Sequence, residues 1–215
     1  MTEDWTLDEL REKLASEIAA NAAFDGWGDE ALTMTAQAAG VDAGVAKLAF
    51  PHGAVDMIDA WFLAVDRTMV TAVPEVATMK IRARIAALVE ARLTAVEPDR
   101  EALRRALAVL ALPQNLARAA RLGWRTVDTI WRAAGDTATD YNHYTKRGIL
   151  LGVYGATVSV FLDDESEGFA DTRAFLGRRI DGIMGFEKAK AAFLKRTENL
   201  PSLSRFIGRL RYPAV

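Results

Sequence analysis

Apolar residues recur three and four positions apart along most of the chain, and no segment alternates apolar and polar residues as a half-buried strand would. That spacing is the signature of helices burying one stripe, so the pattern predicts an all-α protein. Leu7, Leu10, Leu14, Ile18 and Phe24 mark a first helix, with Asp25-Gly26-Trp27-Gly28 as its exit turn. Asp29 is placed to cap a second helix through Ala39, Gly40 to end it, and Asp42 to cap a short third helix closing near Phe50. Further helices are predicted over 54–71, 76–96, 100–112, 116–134 (closed by Gly135), 139–162 and 169–194. In the second of these, Lys80, Arg82, Arg84 and Arg92 are assigned to the wet side. All six prolines fall between these segments, and Pro201 opens a last amphipathic one.

Three parts follow from this pattern: a helix-turn-helix-like part over 1–53, a helical core over 54–196 and an amphipathic basic tail over 197–215. The 215 residues are half hydrophobic, enough to bury a sizeable core. The longest uncharged run, Gly148 to Leu162, is 15 residues, short of the roughly 20 a membrane-spanning helix needs. The absence of cysteine excludes disulfides, thiolate nucleophiles and sulfur-ligated metals. The acidic start Met1-Thr2-Glu3-Asp4-Trp5 carries no visible targeting signal, and a cytoplasmic protein, peripheral to the inner membrane, is the expectation.

Two short helices joined by a glycine turn after a long first helix form a helix-turn-helix. From Thr33 through Gly40 to Phe50 the arrangement resembles a TetR-type regulator, so the expected fold is a TetR-regulator-like helical bundle with a C-terminal amphipathic helix. Charge argues against DNA as its partner. Between Asp25 and Ala60 six acids face Lys47 alone, and Leu48 and Ala49 stand where regulators of this type usually present aromatic or basic groups. No nucleic acid is expected as a partner, although a ligand-responsive regulator stays as the alternative.

Catalytic signatures are missing: the chain has no HExxH, GxSxG or P-loop, and no enzymatic activity, cofactor or metal is expected. His52 reads as a surface residue, and the acidic turn from Asp163 to Glu167 as a solvated loop rather than a cation site. More informative is the stretch from Gly135 to Arg147. Asp140, Tyr144 and Arg147 share one predicted helical face, with His143 and Lys146 beside them; ion pairs on a solvated face and a protein contact patch both fit. Next, Gly148, Gly152, Gly155, Ala156 and Ser159 place small residues on one side, for close helix packing or for an elongated apolar ligand. Candidate walls for that ligand are Leu110, Leu112, Trp124, Val127, Ile130, Trp131, Leu151 and Tyr154, with Gly152 and Gly155. From Arg173 to Val215 ten basic residues face three acids. Within that stretch Leu200, Leu203, Phe206, Ile207 and Leu210 recur at helical spacing with Arg205 and Arg209 opposite, which suits either an anionic bilayer surface or a dimer contact.

The motifs Ala111-Leu112-Pro113 through Asn115, Val127-Asp128, Ile130-Trp131, Ala134-Gly135-Asp136, Thr139-Asp140, Asn142 and Tyr144-Thr145-Lys146-Arg147 together resemble the Coq-nine family of ubiquinone-biosynthesis proteins. Phe50-Pro51 with Gly53, and Phe169, Asp171-Thr172, Phe175-Leu176 and Arg178-Arg179, extend the likeness. The resemblance implies a TetR-like fold, a homodimer, no enzymatic activity and a lipid-binding interior for an isoprenoid quinone precursor or phospholipid. It also implies delivery of that lipid to a ubiquinone-pathway hydroxylase through a patch made of Asp136, Asp140, Tyr141, Asn142, His143, Tyr144 and Arg147. The family commonly carries Trp at the position of His143 and often Phe at that of Tyr141. A start without a transit peptide points to a bacterial member.

Overall fold

A computed structural model describes residues 5–137 and 141–182, without the side chains of Tyr141 and Asn142. Among the described residues every regular element is helical. Thr6 and Glu9 cap α1 (Leu7–Asp25) reciprocally: the Glu9 amide donates to Thr6 Oγ1 at 3.3 Å and the Thr6 amide to Glu9 Oε2 at 2.8 Å. Its buried stripe is Leu10, Leu14, Ala15, Ile18, Ala19 and Ala22. Phe24, expected in that stripe, is 82% exposed. Six residues beyond Ile18 is about 240° around a helix, which turns the ring away from the core.

α2 (Asp29–Ala38) starts one residue off the expectation. Gly28 is its N-cap, and Asp29 is its first helical residue, bound instead to Lys47 Nζ at 2.7 Å. Gly40 ends it as expected, at φ +69°, with the Val41 amide donating to Ala36 O at 2.8 Å and the Gly40 amide to Gln37 O at 3.1 Å. Asp42 caps α3 (Ala43–Ala49) through Oδ1, which accepts from the Gly44 and Val45 amides.

α4 (Ala54–Ala72) is the hub, packed against α1 and against the helices that follow, α5 (Ile81–Val96), α6 (Arg100–Leu110) and α7 (Leu116–Ala133). α5 begins later than expected because 76–78 form a separate 3-10 turn. Arg84 holds that break, donating to the carbonyls of Met79, Ala77 and Ala134 at 2.7, 2.6 and 2.8 Å. α7 ends at Gly135, φ +87°, with the same two-bond closure as α2: the Asp136 amide to Trp131 O and the Gly135 amide to Arg132 O, both 2.9 Å. α8 (Tyr141–Asp163) packs back along α7.

The chain divides into two compact units, 1–176 and 177–215. α1 packs on α4 and α6, so the helix-turn-helix part and the core through Leu176 form one unit. Of the second unit, residues 177–182 are described and are helical. The tail over 197–215, with Leu203, Arg205, Phe206, Ile207, Arg209 and Leu210, lies outside the described residues, as does Asp140.

Two charged groups expected in water are inside. Arg92 is 1% exposed: its Nε donates to Asp66 Oδ1 at 2.7 Å and its Nη1 to the Tyr154 hydroxyl, beneath the Phe62 and Tyr154 rings. Burial pushes the Tyr154 hydroxyl pKa up, so it remains a neutral phenol beside the guanidinium. Asp164, at the centre of the acidic turn, is 5% exposed. It accepts from the amide and hydroxyl of both Ser166 and Thr172 at 2.6–2.8 Å, so this carboxylate is a structural cap and not part of a solvated loop. Burial alone would raise its pKa, but those four donors hold it far below the usual carboxylate range.

Candidate functional site

The Gly135 turn sends the chain from the end of α7 to the start of α8, and this crossing collects the polar groups of the 135–147 stretch. Arg147, on α8, is 1% exposed and is the organising charge. Its Nε donates to Asp128 Oδ1 on α7 at 2.6 Å, and its Nη1 to Asp136 Oδ2 at 3.1 Å and to His143 O at 3.2 Å. Lys146 Nζ takes the other Asp136 oxygen at 2.9 Å, and Arg132 Nε takes the other Asp128 oxygen at 2.8 Å. Burial would raise the pKa of Asp136, whose side chain is 7% exposed, but the bonds from Lys146 and Arg147 outweigh it and hold the carboxyl below its ordinary range. The result is a five-membered charge lock joining α7, the turn and α8.

Aromatic groups sit on the lock. Trp131 Nε1 donates to Lys146 O at 3.2 Å, and Lys146 Nζ lies 5.4 Å from the Trp131 ring centre. Tyr144 is 63% exposed, stacked on Trp124 at 6.1 Å and edge-on to His143 at 5.0 Å. The expected partner patch therefore divides. Tyr144 and half-buried His143 face outward, whereas Asp136 and Arg147, expected on the same surface, are interior supports of it. Asp128 and Lys146 belong to the lock as fully as Arg147 does. The Asp128–Arg132 spacing of four is visible in sequence, but a lone α8 arginine gives no sign of which acids it will meet.

The ten residues expected to wall an apolar interior fall into separate environments. Val127 and Ile130 are fully buried and Leu110 nearly so. Trp124 and Trp131 lie half-buried at the α7–α8 seam. Leu151 fills the same seam so closely that a Cβ on Gly123 would stand 2.9 Å from its Cδ1. Tyr154 spends its hydroxyl on Arg92. Leu112, Gly152 and Gly155 are exposed, as are Gly148 and Ser159 of the same small-residue face. An open hollow of about 280 Å³ between α1 and α4, and one of about 60 Å³ beside Phe161 and Phe169, are lined by none of the ten.

His52, exposed as expected, lies with Nδ1 2.9 Å from Oδ2 of the buried Asp56, which also meets Arg118 at 3.1 Å and Arg11 at 3.5 Å. Burial works against ionisation of Asp56, but the His52 bonds and the Arg118 charge keep its pKa lowered. This cluster ties the helix-turn-helix to α4 and α7. Among the described residues no group of histidines and carboxylates is arranged to hold a metal ion.

Among the described residues these features define an all-helical, TetR-like fold. The fold overlays a TetR transcriptional regulator from Nitrosomonas europaea with a TM-score of 0.64 at 24% identity, covering 80% of this chain and 97% of the other. Residues 116–187, which contain the charge lock, match the model of the COQ9 family. The rat mitochondrial ubiquinone biosynthesis protein COQ9 is 44% identical over 96 residues, 45% of this chain and 31% of the rat protein. The human counterpart is 41% identical over the same length, 30% of that protein. A Schizosaccharomyces pombe relative is 27% identical over 72% of this chain and 62% of its own. The matched region thus spans under a third of the animal relatives' length.

Proposed function

We propose that the chain is a non-enzymatic, lipid-binding accessory protein of ubiquinone biosynthesis that presents isoprenoid quinone intermediates to a pathway hydroxylase at a membrane surface, as a homodimer peripheral to the inner membrane. The observation that carries the reading is the coincidence of the COQ9-family stretch with the Asp128–Asp136–Arg147 lock and the exposed Tyr144 it supports. A buried lock under an exposed aromatic suits a binding surface, because it fixes the anchor before the partner arrives. Gly152 and Gly155, exposed on α8 and one turn apart, offer a prenyl chain an outer face to lie against. Native mass spectrometry and organic extraction of the purified protein test this: co-purified isoprenoid or phospholipid is expected, and a protein that is empty from every preparation refutes it.

The second reading, a ligand-responsive transcription regulator, is favoured by the likeness of fold. Against it, the outer face of α3 presents Val45 and Leu48, and Lys47, its one cation, is paired with Asp29. A regulator would bind duplex DNA with affinity falling steeply with salt. The accessory-protein reading expects no such binding.

A further inference from the structure

From Ala102 to Val127 the chain carries five arginines and no carboxylate. Its middle is the turn between α6 and α7, where residues 111–114, 116 and 117 are all exposed, including Leu112 at 44% and Leu116 at 54%. Two large apolar side chains at the tip of a turn are a desolvation cost awaiting a partner. The turn is stiff: Pro113 opens a 3-10 turn, the Asn115 amide donates to Leu112 O at 2.8 Å, and Asn115 Nδ2 donates to Val109 O at 2.8 Å. The leucines are therefore held outward by a hydrogen-bonded frame.

The charges nearby are sorted by partner. Arg118 turns to Asp56, Arg125 to Asp59, and Arg104 and Arg105 share Glu101. Arg121 is exposed with no partner among the described residues. On the helical wheel it shares the outward stripe of α7 with Ala117 and Trp124, and Leu116 to Trp124 is a rise of about 12 Å. An apolar tip, then an exposed guanidinium, then half-buried Trp124 stacked on Tyr144 is the order of groups that enter a headgroup layer from its acyl side to its wet side.

We infer that the α6–α7 turn is a membrane-contact element, with Leu112 and Leu116 inserting at the acyl boundary of an anionic bilayer and Arg121 meeting lipid phosphate. This rests on the membrane-surface reading above but assigns contact to a part of the core distinct from the basic tail. It brings Tyr144 close to the bilayer, where a partner drawing on membrane lipid would meet it.

Because the chain has no cysteine, Leu112→Cys in the full-length protein can carry a single environment-sensitive fluorophore, with Leu48→Cys on α3 as a control. On phosphatidylcholine vesicles containing phosphatidylglycerol, the label at 112 is expected to shift to the blue and be quenched by doxyl-labelled lipid, while the label at 48 stays aqueous. Arg121→Gln is expected to lower the partition coefficient about fivefold. A label at 112 that stays aqueous on protein that floats with these vesicles overturns the inference while leaving the membrane reading intact. An equal response on phosphatidylcholine alone overturns the role of Arg121, and a response to duplex DNA instead of vesicles overturns the choice of partner. Failure of the full chain to float on any of these vesicles removes both this inference and the membrane reading.

Discussion

Replacing Arg147 by Ala would leave Asp128 and Asp136 facing the space the guanidinium occupied, at side-chain exposures of 19% and 7%. Removing one partner of a buried ion pair costs about 3–5 kcal/mol, chiefly through the uncompensated charge left behind. Lys146 and Arg132 still hold one oxygen of each carboxylate, which places the expected loss near the lower end, about 3 kcal/mol. In a unit of this size that lowers Tm by roughly 6–12 °C. Urea unfolding and calorimetry read the loss, and a double-mutant cycle with Asp136→Asn isolates the pair. A substantial coupling is expected, and Arg147→Lys should recover little, since an ammonium cannot reproduce the forked contact to Asp128, Asp136 and His143 O. A loss below about 1 kcal/mol with no coupling would refute the lock and return Arg147 to the surface.

Tyr144→Ala should change stability by less than about 0.5 kcal/mol, because the ring is mostly exposed, yet weaken a captured partner by about 2 kcal/mol or more in titration calorimetry; equal binding removes Tyr144 from the interface. Gly135→Ala should cost about 1 kcal/mol or more by thermal melt, since φ is +87° and the new Cβ would stand 3.1 Å from Arg84 Nη1. Acid unfolding should track the carboxyls with lowered pKa, Asp56, Asp136 and Asp164: they stay ionised in the folded chain and take up protons on unfolding, so their stabilisation is full above about pH 4–5 and fades as pH falls below it. Asp99, raised by burial and by Glu17, runs the other way and partly offsets them. Asp164→Asn should flatten the acid limb in pH-dependent melts, and an unchanged profile would sink that assignment.

Helix identities and several helix ends were legible because their causes are local. Asp42, Gly40 and Gly135 act on backbone groups within a few residues, and the period of Leu10, Leu14 and Ile18 records the buried stripe directly. The stretch that matches the COQ9 model was legible for a related reason: the densest part of its motif runs along one short piece of chain, from Val127 to Arg147. What only the packed chain decided is which charges go inside and which hydrophobes stay out. Arg92 reads as a wet-face residue until Asp66, 26 positions away, and Tyr154, 62 away, close around it; Asp164 reads as solvated until Thr172 folds over it. Leu112 reads as a ligand wall until the fold leaves it exposed at the tip of a turn. Periodicity fixes the angle at which a side chain leaves its own helix, but burial depends on what the neighbouring helix brings to that angle, and that is set by contacts far apart in sequence.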